Sequence, residues 1–176
     1  MYNESMKEFI WICGIVPDDI NHQIRQICLK ENKELHLSER FFRTNLHISM
    51  KRTFHCEEFE NMKEDLKQLL TDEKAIYCGY THLIKVKDML WLTMDEDARI
   101  RQVHQRIDEL LKNKYSVPID TFDKNYLPHI TIFHKGDPQN LIRMYEKLLD
   151  VLSSKPINIS RYAIGSKIKG NDIFSV

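Results

Sequence analysis

The chain has 176 residues, a length that suits one domain or two small lobes that share a core. Its 26 basic and 26 acidic side chains cancel. This balance argues against a protein that binds long nucleic acid through its overall charge, because such binding needs many phosphate contacts. It is compatible with a small anionic ligand held by a local cluster of polar groups.

The four cysteines are widely spaced, no C-x-x-C occurs, and the start MYNESMKEF lacks the pattern of a signal peptide. We therefore expect free thiols and a cytoplasmic protein. No apolar run approaches the roughly 20 residues of a membrane span, so we expect no membrane contact.

Strands and helices alternate along the first half of the chain. The apolar segment EFIWICGIV predicts a buried strand, followed by a helix from Pro17 to about Lys33. The segment TNLHISMKRT alternates and predicts a second strand. A second helix is predicted by EEFENMKEDLKQLL, whose apolar residues share one face: Phe59, Met62, Leu66, Leu69 and Leu70.

The second half shows a similar order. Two strands, AIYCGYTHLIKVKD and MLWLTMD, are predicted to meet near Lys87-Asp88. The amphipathic helix EDARIRQVHQRIDELLKNK, the strand PHITIFHK, the helix PQNLIRMYEKLLDVLSS and a closing strand INISRYAIGSKI follow, with a candidate hairpin at Lys169-Gly170-Asn171. The order predicts an α+β protein with two similar lobes that meet near residues 85–90.

One three-residue motif occurs in both halves, as His47-Ile48-Ser49 and His129-Ile130-Thr131. Because side chains alternate along a strand, each histidine should share a face with its hydroxyl residue, opposite an apolar core face. If the lobes are related by a pseudo-twofold axis, both polar faces line one cleft. A third match, at His36-Leu37-Ser38, is interpreted as accidental because the apolar alternation stops there.

Two imidazoles and two hydroxyls suit a phosphodiester. One neutral histidine can deprotonate an attacking hydroxyl or water, and the other, protonated, can donate to the leaving oxygen. Ser49 and Thr131 can hydrogen-bond the non-bridging oxygens. This chemistry requires no cofactor, and no cluster of ligands at metal-site spacing accompanies the histidines, so we expect no metal.

Four more residues are candidates for substrate contact. Lys51 should share the face of His47 and Ser49, and Phe133 that of His129 and Thr131. Tyr126 and Trp11 are aromatic and could stack on a nucleobase near the cleft. For all of these, and for the histidines taken singly, packing in the core or solvation is the competing explanation. The competing functions are a nucleotide- or RNA-binding module without turnover and a structural protein.

The paired motifs resemble those of the 2H phosphoesterase superfamily, which includes the bacterial RNA ligase-like 2′,3′-cyclic phosphodiesterases. The first strand of that superfamily is similar to FIWICGIVPDDI, and the strand and helix before its second motif are similar to MLWLTMDEDARIRQVHQRIDELL. The second motif itself is similar to LPHITIF. The first motif departs slightly, since Ser49 and Met50 stand where threonine and leucine are commoner.

The resemblance implies a single domain, 1–176, with lobes of about 1–87 and 88–176. Each lobe would be a mainly antiparallel sheet with helices on its outer side, and the lobes would form a central cleft. It also implies hydrolysis of a 2′,3′-cyclic phosphate or a 2′-linked phosphodiester, with His47 as acid and His129 as base. The substrate could be a small nucleotide, an RNA end, or a cyclic or 2′-5′ signalling oligonucleotide. We expect a monomer without a protein partner.

Overall fold

A computed structural model describes residues 9–35, 45–87, 89–94, 98–134, 144, 146–148 and 156–176. Nine strands occur in this part of the chain: β1 (Ile10–Ile15), β2 (His47–Phe54), β3 (Ile76–Cys78), β4 (Tyr80–Val86), β5 (Met89–Met94), β6 (His129–His134), β7 (Ile157–Ile159), β8 (Arg161–Ser166) and β9 (Gly170–Ser175). Its helices are α1 (Asp18–Leu35), α2 (Phe59–Glu73), α3 (Ala98–Tyr115) and α4 (Thr121–Lys124).

Seven strands form one antiparallel sheet in the order β4-β5-β6-β2-β1-β8-β9, and β3 pairs with β7 in a separate two-stranded sheet. The α+β class and the antiparallel sheet are therefore confirmed. A hairpin is also present after β8, but its turn lies at residues 167–169, two residues before the predicted Lys169-Gly170-Asn171.

The strand order mixes the two halves of the chain. β8 and β9 belong to the C-terminal half, yet they extend the sheet from β1. The lobes expected at about 1–87 and 88–176 therefore do not coincide with the two flanks of the sheet. Two segments that were each predicted as one strand are divided: AIYCGYTHLIKVKD forms β3 and β4, with a break at Gly79, and INISRYAIGSKI forms β7 and β8, with a break at Ser160. The short helix α4 was not predicted from periodicity.

The helices cover one face of the large sheet. Apolar side chains of α1, α2 and α3, such as Ile24, Leu66 and Ile107, join Ile48 and Ile130 of the sheet in one fully buried cluster. Because β-strand side chains alternate, the residues on either side of Ile48 and Ile130 point to the opposite face. We call that opposite face, which carries His47, Ser49, His129 and Thr131, the histidine face.

The predicted helix at 138–154 lies mostly outside the described residues, although residues 144 and 146–148 are helical. The His36-Leu37-Ser38 match also lies outside them. Among the described helices, none combines the length and apolar character that crossing a membrane requires.

We predict that Ile130→Ala lowers the free energy of unfolding by about 2–5 kcal/mol, because Ile130 is fully buried and its truncation leaves a cavity. Chemical denaturation checks this value. The matched control is Ile173→Ala in β9, where the side chain is 49% exposed and the change should stay within about 0.5 kcal/mol. Equal losses in the two variants would contradict this assignment of the core.

Candidate active site

The two histidine motifs meet at the junction of β2 and β6, where Ile48 pairs with Ile130 in antiparallel register. Continuing that register places His47 opposite Thr131 and Ser49 opposite His129, all on the histidine face. The two histidines are then diagonal neighbours, with Cα atoms about 7–8 Å apart. Two imidazoles at this spacing can reach a small group between them from opposite sides.

Adjacent strands extend the same face in two rows. Residues paired across neighbouring strands share a face. Thr93 of β5 and Cys13 of β1 therefore lie on either side of the pair His129–Ser49. Trp91 of β5 and Ile15 of β1 lie on either side of the pair His47–Thr131. Trp91 was not among the sequence candidates. The alternation of MLWLTM could have indicated it, but only once β5 was known to pair with β6.

Each histidine is fixed by the backbone two residues before it. His47 Nδ1 lies 3.0 Å from the carbonyl oxygen of Asn45, and His129 Nδ1 lies 2.8 Å from that of Leu127. A carbonyl only accepts, so each Nδ1 must carry the hydrogen. The neutral tautomer therefore leaves the Nε2 lone pair free to take a proton, and the protonated form presents an Nε2–H donor.

The environments of the two imidazoles differ. His47 is exposed, whereas His129 is half-buried and stacks on the indole of Trp91, with ring centroids 3.7 Å apart and planes at 15°. Burial lowers the pKa of His129 below its ordinary value near 6.5, and the positive charge of His47 lowers it further, while the Leu127 carbonyl acts in the opposite direction. His129 therefore favours the neutral form.

The Cys13 thiol lies beside Ser49 on the same face. Burial raises its pKa to about 12, so it is protonated near neutral pH. Because the thiolate is the nucleophilic form, Cys13 does not suit covalent catalysis here.

Lys51 does not share the face of His47, contrary to the sequence expectation. Between the pairs Cys13–Ser49 and Ile12–Lys51, β2 contains one residue more than β1, which is a β-bulge. The bulge turns Lys51 to the core side with Ile12. There it is 3% exposed and forms ion pairs with Asp108 of α3 and Asp123 of α4.

Tyr126 also lies below the sheet rather than on the histidine face. It is 4% exposed, its ring stacks on His104, and its hydroxyl donates to the Ser49 carbonyl oxygen at 3.1 Å. A nucleobase has no access to a ring packed in this way. The substrate-stacking expectation for Tyr126 is wrong because core contacts occupy both its ring and its hydroxyl.

The other two aromatic candidates stay predictions. Trp11 alternates with Cys13 and Ile15 on the histidine face, and its indole nitrogen donates to Asn171 Oδ1 at 2.8 Å. The backbone of Phe133 pairs with Leu90 in β5, while its side chain lies outside the described part of the structure.

His104, Asp108 and Asp123 could hold a metal ion by their donor atoms, which lie within 4.8 Å of one another. They lie beneath the sheet, however, and the ammonium of Lys51 already bonds to both carboxylates. This cluster therefore contains its own cation.

Comparison with known proteins places this geometry in a family. Residues 16–169 match the 2′-5′ RNA ligase superfamily, over a range that includes both histidine motifs. The chain belongs to the 2′-5′ RNA ligase superfamily. The resemblance to 2H phosphoesterases is thereby confirmed. Among curated proteins, none matches the sequence.

Solved structures share this superfamily fold at low sequence identity. Usb1 of Kluyveromyces marxianus is 9% identical, has a TM-score of 0.59, and is matched over 96% of each chain. E. coli LigT in its apo form is 11% identical with a TM-score of 0.57, over 98% of this chain and 96% of LigT. LigT complexed with 3′-AMP is 10% identical with a TM-score of 0.58, over 97% and 95%.

We predict that His47→Gln raises the pKa of His129, because the substitution removes the positive charge that opposes protonation of the second imidazole. An NMR titration of the His129 ring carbons checks the shift. His22→Gln, at an exposed position of α1, is the control and should leave the titration unchanged. An unchanged pKa of His129 in His47→Gln would mean that the two imidazoles are too far apart to interact.

Proposed function

We propose that this chain is a metal-independent phosphoesterase that hydrolyses a 2′,3′-cyclic phosphate or a 2′-linked phosphodiester of a nucleotide or an RNA end. The observation that carries the proposal is the placement of two backbone-anchored imidazoles on one face, at the junction of β2 and β6. Each offers Nε2 for proton transfer. Acid–base catalysis of phosphoryl transfer needs this combination of one acceptor and one donor.

The difference between the two environments supports an assignment of the two roles. His129, whose pKa is lowered by burial, is the general base and takes a proton from the attacking water at Nε2. His47, which is exposed, is the general acid and donates its Nε2 proton to the leaving ribose oxygen. A P–O bond to water forms as the P–O bond to ribose breaks, and the product is a phosphomonoester.

Ser49 and Thr131 are the phosphate ligands in this proposal. Both are half-exposed on the histidine face, and in the register set by Ile48 and Ile130 each lies opposite the histidine of the other motif. Their hydroxyls can donate to the non-bridging oxygens, where negative charge must be stabilised in the transition state. A phosphate between the four side chains would thus contact both motifs at once.

A small substrate or a chain end fits better than the middle of a long RNA. The formal net charge of zero provides little general attraction for a polyanion. Structures of E. coli LigT, a protein of the same fold, contain 3′-AMP in one case and phosphate in another. Both molecules are of the size and chemistry that the four motif side chains would contact here.

We predict turnover without a divalent metal. The described metal-compatible cluster lies behind the sheet, and the two motif histidines can perform the proton transfers themselves. A screen of 2′,3′-cyclic mononucleotides, 2′-5′ oligonucleotides and cyclic dinucleotides in excess EDTA checks this expectation and identifies the linkage. Nucleotide binding without turnover would favour a binding module, and a strict need for a divalent ion would contradict the proposed mechanism.

We predict a bell-shaped pH dependence of kcat, because His129 must be neutral and His47 protonated in the same molecule. The acidic midpoint should fall below 6.5, since the pKa of His129 is lowered. His47→Ala and His129→Ala should each lower kcat by at least about 10²-fold, and the double variant should be little worse than either single one.

The exposed His22 supplies the control, since His22→Ala should leave kcat unchanged. His36→Ala tests the third motif match in the same assay and should also have no effect. Full activity in folded His47→Ala, combined with loss in His36→Ala, would show that the first motif has been assigned to the wrong histidine.

A further inference from the structure

Below the sheet, three consecutive residues of β2 are each held by a polar side chain. The Ser49 carbonyl oxygen accepts from the Tyr126 hydroxyl at 3.1 Å, and the Met50 carbonyl oxygen lies 2.7 Å from His104 Nδ1. The Lys51 ammonium donates to Asp108 at 2.7 Å and also to Asp123. These contacts begin at Ser49, which the proposed function makes a phosphate ligand.

The contacts coincide with the bulge in β2. A bulge leaves an extra residue out of the strand ladder, so its backbone groups need other partners. Unsatisfied backbone groups are costly in a buried position, and Met50 is fully buried. The His104 side chain of α3 therefore provides a partner for the Met50 carbonyl.

The same segment also orients the second motif. Residues 120–128 carry Asp123, which binds Lys51, and Tyr126, which binds the Ser49 carbonyl. They also carry Leu127, whose carbonyl oxygen fixes Nδ1 of His129. One short piece of chain thus contacts β2 at Ser49 and Lys51 and sets the ring of His129.

The side chains of this network also contact one another. The rings of Tyr126 and His104 stack at 3.9 Å with planes at 17°. His104 Nε2 lies 3.4 Å from Asp108 Oδ2 and 3.3 Å from the Asp123 carbonyl, so both ring nitrogens face acceptors. The network thus joins the Lys51 ammonium, the His104 ring and two carboxylates.

We propose that Tyr126, His104 and Lys51 are positioning residues that hold Ser49 at a fixed place relative to His129. The inference rests on the proposed function, because the readouts are phosphate binding and turnover at the four motif side chains. Its alternative is a buried ionic network that contributes to stability alone, without setting the geometry of the site.

Tyr126→Phe is the least disruptive test, since it removes one hydroxyl and keeps the ring that stacks on His104. The matched control is Tyr162→Phe in β8. Tyr162 is also fully buried, and its hydroxyl has no hydrogen-bond partner among the described residues. Melting temperatures and amide spectra of both variants establish that they fold.

Inorganic phosphate provides a readout that does not depend on turnover. Titration followed by the amide shifts of residues 47–49 and 129–131 should show about 10-fold weaker binding in Tyr126→Phe, with kcat lowered to a similar extent. Tyr162→Phe should match the wild type in both. Wild-type phosphate affinity and kcat in folded Tyr126→Phe would overturn the inference.

A double-mutant cycle separates positioning from general destabilisation. If the Tyr126 hydroxyl acts through Ser49, Tyr126→Phe should cost less than about twofold in kcat once Ser49→Ala is present. A full additional 10-fold loss in that background would show that the hydroxyl acts elsewhere, and would overturn the inference.

Conservative replacement at His104 gives a second test. His104→Asn keeps a donor near the position of Nδ1 for the Met50 carbonyl, whereas His104→Leu removes it. We expect His104→Leu to bind phosphate more weakly than the wild type. The loss of affinity in His104→Asn should be at most about half of the loss in His104→Leu. Equal losses in the two folded variants would contradict a positioning role for this hydrogen bond.

Phosphate binding and turnover by the wild type alone show whether the proposed function fails. If phosphate does not perturb the motif residues of the wild type, and no phosphodiester is turned over, the site itself has been misassigned and the inference falls with it. If the wild type binds phosphate and only the variant comparison fails, the proposed function stands and the positioning role is overturned.

Discussion

The antiparallel contact of Ile48 with Ile130 is the constraint on which the rest of the site depends. It joins β2 to β6 near the first residue of each strand, where the two motifs lie. Beyond this contact the two antiparallel strands run in opposite directions. The same alternation that places both isoleucines in the core places both histidines on the other face. Packing and chemistry are therefore fixed by one register, and a change of either isoleucine would affect both.

The motifs are similar in sequence, yet their surroundings give them different properties. β6 lies between β5 and β2, where Trp91 covers one face of the His129 ring, whereas His47 remains exposed. The lowered pKa of His129 therefore arises from its surroundings and not from the motif itself. The proposed acid and base roles rest on this difference in surroundings and not on the repeated motif.

Much of the candidate site could be predicted because it depends on local alternation. His47, Ser49, His129 and Thr131 follow from period-two patterning of two strands, together with the assumption that these strands meet. Lys51 could not be placed correctly, because a single extra residue at the bulge reverses the face on which it lies. That extra residue is defined by pairing with β1, and a strand read by itself contains no sign of it.

Which strands pair with each other could not be predicted from the sequence either, because pairing is defined by contacts with distant strands. The pattern predicted a closing strand over INISRYAIGSKI and a candidate hairpin after it, but the place of β8 and β9 beside β1 depends on long-range contacts. Trp91 and Tyr126 illustrate the two possible errors with aromatic residues. Trp91 reaches the histidine face through a neighbouring strand, whereas Tyr126, three residues before His129, is directed into the core by its contacts with Ser49 and His104.

The stack of Trp91 on His129 has a consequence for the charge that forms during a reaction. Burial against the indole disfavours an imidazolium in the resting site, which keeps His129 able to accept a proton. The same indole also presents the negative face of its π-system to a protonated ring, a contact worth about 0.5–2 kcal/mol, which offsets part of the cost of burial. The stack therefore acts in both directions on one protonation equilibrium, and burial is the larger effect because the pKa of His129 is lowered.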